Sequence, residues 1–332
     1  MASGYIRTFD SNIVRLGSTT GECKFTLLNF SKNNRALKIS ILSSTVNSVT
    51  TIVGVEVENK GNIYGIKKVA QTNRLIFELN AVVKKLPYVL EEADIYINEI
   101  TDNWDVFRTS YMQILMSPMG SVVIEADVQT MSGNVTGLCG NFDHHQENDF
   151  IMESGGMASE NEFLQINSEG QCGKANIDVE DNPKCVKVKD VLMANCPHLD
   201  QSKQQQLVEG CKQSQTDSQL CAVLMELQLE CNLSLDSPPI LSIMDCKPTC
   251  REGFEFKSCR RDCERSCSDL YLKNSTTCDT TTCFQGCGCP VDQFMLEEDG
   301  VVTCVGRSEC PCWLGTKLIK SGHSLIVDCQ NW

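Results

Sequence analysis

Several patterns that mark common protein classes are missing from this chain of 332 residues. No run approaches the roughly 18 consecutive apolar residues that a membrane-spanning helix needs, so the sequence predicts no transmembrane segment. Lysine and arginine total 29 against 43 aspartate and glutamate residues, which gives a formal net charge of -14. Because a nucleic-acid surface needs clustered basic residues, this balance argues against nucleic acid as a partner.

Motifs of catalytic sites are also missing. The sequence contains no serine elbow, phosphate-binding glycine loop or dinucleotide fingerprint. No two of its cysteines have the two-residue separation that structural zinc sites use most often. None is marked out by a neighbouring base and an electropositive setting, which a nucleophilic cysteine requires. The sequence therefore predicts a protein that is not an enzyme.

Cysteine, in contrast, is abundant and unevenly distributed. The chain has 21 cysteines, of which only Cys23 and Cys139 lie in residues 1–171. Such density predicts disulfides and a secreted or extracellular location, including the outer part of a membrane-anchored parent. The odd number leaves one thiol without an internal partner. Because no secretory signal opens the sequence and it stops close to a cysteine, we expect a piece of a longer exported protein.

The first 150 residues have the period-two alternation of β-strands that bury one face. Apolar residues alternate through Leu37, Ile39 and Ile41, and similar runs cover Val49–Val57 and Val122–Val128. Turn-forming segments separate these runs, and no helical pattern intervenes. The sequence therefore predicts an antiparallel β-sandwich or barrel in this half.

A helical pattern follows between residues 180 and 246. One stripe of an amphipathic helix is formed by Leu220, Leu224, Leu227 and Cys231. Thr216 or Asp217 would cap its start, and a second helix would run from the glutamines at 201–206 to near Gly210. Six cysteines in this segment predict a small helical module with three disulfides.

The segment 250–310 has no useful periodicity and contains ten cysteines. An even, dense set predicts five internal disulfides that replace a hydrophobic core, with loops and short hairpins between them. Two further cysteines follow, at positions 312 and 329.

A polar loop at residues 137–150 carries the strongest hint of a binding site. Oxygen-bearing side chains follow one another closely at Asn141, Asp143, Asn148 and Asp149. Calcium takes six to eight oxygen ligands of this kind. A solvated polar turn is the simpler interpretation of the same composition, and the glycine and glutamate offsets of an EF-hand are absent.

The sequence also contains motifs for N-glycosylation. They begin at Asn29, Asn134, Asn232 and Asn274. About three matches would arise by chance from this composition, so four are compatible with secretion without establishing it.

These pieces, in this order, resemble the von Willebrand factor type D assembly. The most specific elements are Thr8-Phe9-Asp10, Gly21-Glu22-Cys23 and the loop from Gly137 to Phe150. The resemblance implies a type D domain at 1–175, an eight-cysteine helical module at 180–246, a trypsin-inhibitor-like module at 247–310 and part of an E module at 311–332. The implied fold class is mainly β, with a sandwich followed by disulfide-linked helical and hairpin modules.

The resemblance also implies a calcium ion between the Thr-Phe-Asp strand and the polar loop. The matching ligands are Asp10, Asn141, Asp143, Asn148 and Asp149, with the carbonyl of His145 as a sixth. His144 departs from the family pattern, because it stands where related domains usually have glycine.

The cysteines of the first domain carry over from the resemblance as well. It implies a disulfide between Cys23 and Cys172 and a partner for Cys139 that related domains place just before the Thr-Phe-Asp strand. No such cysteine is present here, and we interpret Cys139 as the end of a bond lost by truncation. Relatives that assemble into multimers have a Cys-Gly-Leu-Cys motif. The matching residues here are Thr136-Gly137-Leu138-Cys139, which lack the first cysteine, so intrinsic multimerisation is not expected.

Two functions follow from the resemblance. The first is a non-catalytic structural or adhesive module whose partners are other extracellular glycoproteins or further D assemblies of the same chain. The second is a serine protease inhibitor. The reactive loop of that class would be residues 278–283, which present Thr280, Thr281 and Thr282 and no basic residue for a trypsin-type pocket.

Overall fold

The structure is a computed structural model, and it describes part of the chain. The residues it describes are 5–16, 22–32, 35–46, 49–69, 74–101, 104–152, 155–170, 172, 184–199, 201–212, 214, 216–231, 246, 250–260, 266–267, 270, 284–298, 301–314, 317–319, 321–322, 326–327 and 330–331. Within them the chain is mainly β and forms seven disulfides. The predicted fold class is confirmed.

The first half of the chain is built from antiparallel strands. Strands β1 to β15 are Tyr5–Arg7, Ile13–Arg15, Glu22–Lys32, Arg35–Val46, Val49–Asn59, Asn62–Val69, Arg74–Leu79, Val82–Lys84, Tyr88–Leu90, Ile95–Thr101, Trp104–Thr109, Met112–Met116, Val122–Ala126, Val135–Thr136 and Ser168–Glu169. The larger sheet has the order β14-β3-β4-β5-β6-β7-β8, with β15 also paired to β3. The smaller sheet has the order β13-β12-β11-β10-β9. Most neighbours are consecutive in sequence, as expected for strands joined by short turns.

The two sheets pack face to face around one apolar core. Phe25, Ile39 and Ile66 of the larger sheet meet Phe107 and Ile114 of the smaller sheet in this core, and all are almost completely buried. The predicted β-sandwich is therefore present.

Two of the predicted alternating runs are partly wrong. A register shift beside Leu42 and Ser43 inserts an extra residue in β5, so Ile52 is buried where the simple alternation placed Val53 inward. A bulge of this kind changes the face that each later residue presents. The run at Val122 ends at Ala126, because Val128 begins a short helix and is largely exposed.

The outer face of the larger sheet carries a charged network. Glu56 accepts a hydrogen bond from Lys24 at 2.9 Å and lies 3.2 Å from the ammonium of Lys67. Burial raises the pKa of Glu56, but the two lysines outweigh this effect, so its pKa is lowered overall.

The helices are α1 to α5, at Val128–Met131, Glu160–Ile166, Cys185–Asn195, Gln201–Lys212 and Asp217–Glu230. The stripe predicted for the last of these is buried, and Thr216 caps its start by accepting a hydrogen bond from the N–H of Gln219. Helix α4 continues two residues beyond the predicted end at Gly210. Helix α3 was not predicted from the sequence. No described helix is both long and apolar enough to cross a membrane.

Helices α3 to α5 share a second core with the smaller sheet. Trp104, Val106 and Leu115 on the outer face of this sheet are fully buried in one cluster with Leu220 and Leu224 of α5. Buried hydrogen bonds reinforce the contact, including one from Ser121 Oγ to the carbonyl of Ala222 at 2.5 Å. The smaller sheet is thus covered on both faces.

Three disulfides connect the helical segment. They are Cys185–Cys211, Cys196–Cys231 and Cys221–Cys246, which is the number predicted from its six cysteines. The cysteine-rich segment beyond it consists of short hairpins. Strands β16 to β23 are Glu255–Arg260, Phe284–Gly288, Gln293–Glu298, Val301–Gly306, Cys312–Leu314, Lys317–Ile319, Ile326–Val327 and Gln330–Asn331.

Disulfides link these hairpins as well. In the described part of this segment they are Cys250–Cys287, Cys267–Cys310 and Cys289–Cys304. The other predicted bridges involve residues outside the described set.

Candidate functional site

The candidate site forms where the turn after β1 meets the loop after β14. The turn covers residues 8–12 and the loop covers residues 137–149. The backbone N–H of Phe9 donates to the carbonyl of Cys139 at 2.9 Å. The rings of Phe9 and Phe142 stack with centroids 4.3 Å apart. Main-chain and aromatic contacts therefore hold the two segments together.

Two glycines let the loop pass close to its neighbours. Gly137 has φ of +114°, and a Cβ there would lie 2.7 Å from the carbonyl oxygen of Leu27. Gly140 has φ of +79°, and a Cβ there would lie 1.9 Å from Oδ1 of Asp149. His144, where the family pattern has glycine, also has a positive φ of +68°. That backbone is less favourable for a side chain than for glycine.

Three predicted ligands lie side by side in the loop. The amide nitrogen of Asn141 is 3.0 Å from Oδ2 of Asp143 and 3.1 Å from Oδ1 of Asn148. Asn148 also donates to Oδ2 of Asp143 at 2.7 Å, and this hydrogen bond lowers the pKa of the Asp143 carboxyl. The three side chains therefore lie within hydrogen-bond distance of one another.

The two remaining carboxylates connect the loop to the turn. Both oxygens of Asp10 accept backbone hydrogen bonds, from Asp143 at 3.1 Å and from His144 at 2.9 Å. Asp149 is almost completely buried. Burial raises its pKa to about 6, and the neighbouring charge of Asp10 adds to the rise.

Two buried oxygens in the site have no hydrogen-bond partner. They are Oδ1 of Asn141 and Oδ1 of Asp149. An unpartnered buried oxygen is costly, and a hard cation with oxygen ligands would satisfy both. The described residues contain no group of three or more histidines, cysteines, aspartates or glutamates placed to hold a metal. The oxygen set fits calcium only because it also includes asparagine side chains and main-chain carbonyls.

Thr8 and Asn12 also contact the site, although neither was among the predicted ligands. Thr8 donates to Oδ2 of Asp149 at 2.6 Å, and Asn12 donates to the same oxygen at 2.9 Å. Thr8 belongs to the quoted Thr-Phe-Asp motif, whereas nothing in the sequence pattern marked Asn12. The carbonyl of His145 accepts a hydrogen bond from the N–H of Asn148 at 3.3 Å, and its imidazole is exposed.

Cys23, Cys139 and Cys172 differ in whether they form a disulfide. Cys23 is joined to Cys172, the pair that the resemblance implies, and this bond ties β3 to the residues that follow β15. Cys139 forms no disulfide within the described part of the chain and is buried. Burial raises the pKa of its thiol to about 12, so the nucleophilic thiolate is scarce at neutral pH.

The remaining predicted positions are only partly described. Asn29 is exposed on β3. Asn134 is half-buried, and its amide donates to the carbonyl of Ser132 at 2.6 Å. The other predicted glycosylation and inhibitory-loop residues lie outside the described residues: Asn232, Asn274, Thr280, Thr281 and Thr282.

Residues 1–156 match the family described as the von Willebrand factor type D domain, and the matched part contains strands β1 to β14 and the polar loop. The match ends near the Ile151–Met157 bridge, before the helical segment.

Longer proteins with this kind of domain are similar to the chain. Mucin-5B of Gallus gallus is 26% identical over 61% of this chain, SCO-spondin of Gallus gallus 28% over 60%, and von Willebrand factor of Bos taurus 27% over 59%. The matched region spans only 11%, 4% and 22% of those proteins, respectively.

Proposed function

We propose that this chain is a non-catalytic structural or adhesive module of a larger extracellular glycoprotein and that calcium stabilises it. The observation that carries the calcium assignment is the pair of buried, unpartnered oxygens on Asn141 and Asp149. Asp10, Asp143, Asn148 and the carbonyl of His145 complete the proposed ligand set. These groups are the hard oxygen ligands that calcium prefers.

Charge explains what calcium would contribute to this fold. The charge of Asp10 lies close enough to Asp149 to raise the pKa of its carboxyl, and Asp149 is desolvated. A bound divalent cation supplies the positive charge that this arrangement needs. The segment containing β1 would then be fixed more firmly to the loop of residues 137–149.

The extracellular assignment rests on chemistry and on relatives. Disulfides at this density persist in oxidising compartments. The similar proteins include a mucin, a spondin and von Willebrand factor. Because the chain corresponds to a small part of each, we propose, by analogy, that it binds other extracellular glycoproteins or further D assemblies of its parent. Such a role needs a rigid body, and the core shared by helices α3 to α5 and the smaller sheet would supply one.

Thermal unfolding of the whole chain in calcium and in chelator tests the proposal. Extracellular calcium modules have dissociation constants of about 10⁻⁴–10⁻³ M, so millimolar calcium should add about 1 kcal/mol of stability. The melting temperature should therefore rise by a few degrees. Asp143→Asn should abolish this rise, whereas Asp190→Asn, which changes an exposed aspartate on α3, should preserve it.

An equal melting temperature in calcium and chelator for the wild-type chain would refute the calcium site. The same conclusion would follow if the two variants behaved alike.

A further inference from the structure

Two residues of the turn between β1 and β2, Thr8 and Asn12, form a closed ring of hydrogen bonds with one carboxylate oxygen of Asp149. The N–H of Asn12 donates to Oγ1 of Thr8 at 2.8 Å, and Thr8 Oγ1 donates to Oδ2 of Asp149 at 2.6 Å. The side-chain amide of Asn12 closes the ring by donating to the same Oδ2 at 2.9 Å. Two donors thus converge on one oxygen of Asp149.

The second N–H of the Asn12 amide is also used. Asn12 Nδ2 lies 2.5 Å from the carbonyl oxygen of Gln146, three residues before Asp149. One side chain therefore contacts both the main chain of the loop and its buried carboxylate. This arrangement fixes the position of Asp149 and also the rotation of its carboxyl group.

The rotation determines which oxygen is left for a ligand. Oδ2 of Asp149 is occupied by Thr8 and Asn12, whereas Oδ1 has no partner and lies against the Cα of Gly140. Oδ1 of Asn141 is the other buried oxygen without a partner in the site. The donors on Oδ2 thus select Oδ1 as the oxygen presented to a cation.

We infer that Asn12 is a positioning residue for the calcium site, acting through Asp149 without touching the ion. This inference rests on the proposed calcium function. Groups that orient metal ligands typically change metal affinity by about 10–100-fold when they are removed. Asn12 lies outside the sequence elements that carry the family resemblance, so the inference concerns a feature of this chain itself.

Calorimetric titration of the whole chain with calcium, well below its melting temperature, tests the inference. Asn12→Ala should weaken calcium binding by about 10–100-fold. Gln146→Ala is the matched control, because it removes a second side-chain contact between loop and turn, from Nε2 to the carbonyl of Ser11 at 3.4 Å. It keeps the carbonyl that Asn12 uses and does not touch Asp149, so the affinity should stay at the wild-type value.

Melting in chelator separates orientation from simple anchoring. Both variants remove a contact between turn and loop, so both should lower the melting temperature of the calcium-free protein slightly. Only Asn12→Ala should also lower the affinity. If Asn12→Ala does not fold, Thr8→Val provides the measurement, because it removes the other donor to Oδ2 with almost no change of shape and should weaken binding in the same direction.

The outcomes distinguish the inference from the proposal on which it rests. A wild-type chain that binds no calcium overturns both. Calcium binding by the wild-type chain that is lost in Asp143→Asn but equal in Asn12→Ala and Gln146→Ala overturns only the role of Asn12. Weaker binding in Asn12→Ala and Thr8→Val, with wild-type affinity in Gln146→Ala, supports it.

Discussion

Replacing Leu115 with alanine should lower the free energy of unfolding by about 3 kcal/mol. Leu115 lies on the outer face of the smaller sheet, the side away from the sandwich core. The side chain is nevertheless 0% exposed, because it packs in the cluster that contains Leu220 and Leu224 of α5. Truncating a fully buried leucine removes its transfer free energy and leaves a cavity, which together cost about 2–5 kcal/mol.

Ile63→Ala is the matched control for this prediction. Ile63 lies on the outer face of the larger sheet and is 39% exposed. Its truncation removes little buried surface, so we expect a loss under about 1 kcal/mol. The contrast between two outer-face positions isolates the effect of the helices that cover the smaller sheet.

Denaturant unfolding with intact disulfides, followed by tryptophan fluorescence, measures both changes. Trp104 lies in the same buried cluster as Leu115 and so reports on this interface. Equal, small losses for the two variants would show that the helices do not bury this face in solution. The assignment of one shared core to sheet and helices would then be wrong.

Two further changes test local features. Gly140→Ala should lower the stability more than Gly133→Ala and should abolish calcium binding. Both glycines have a positive φ, but only a Cβ at Gly140 would clash with another atom, which is Oδ1 of Asp149. Equal losses, measured by thermal melting in chelator and calcium, would argue against this close approach. Glu56→Gln should cost less than about 1 kcal/mol at neutral pH, since its ion pairs are partly exposed. Because the pKa of Glu56 is lowered in the folded protein, this contribution is present above the ordinary pKa of glutamate and is lost as the pH falls through the lowered pKa. A wild-type advantage that persists in acid would contradict it.

Much of the fold follows from local sequence pattern. The alternation at Leu37, Ile39 and Ile41 predicts a strand with one buried face, and all three residues are buried. The apolar residues from Leu220 to Cys231 recur at helical spacing, and this period predicts a helix with one buried face. Periodicity is a local property, and it is retained when the element packs against any apolar surface.

What covers each surface was decided only by the tertiary structure. The consecutive apolar residues Val106 and Phe107 are both buried because one faces the helices and the other faces the larger sheet. The bulge that places Ile52 inward depends on pairing between β4 and β5, which a single-strand pattern does not contain.

The candidate site divides in the same way. Sequence alone placed Asn141, Asp143 and Asn148 in one short loop, where proximity along the chain brings their side chains together. Asn12 was found only in the structure, because its contact with Asp149 joins positions 137 residues apart. A motif of a few neighbouring residues cannot contain a contact between positions so far apart in the sequence. The packing of the turn against the loop brings the two residues together.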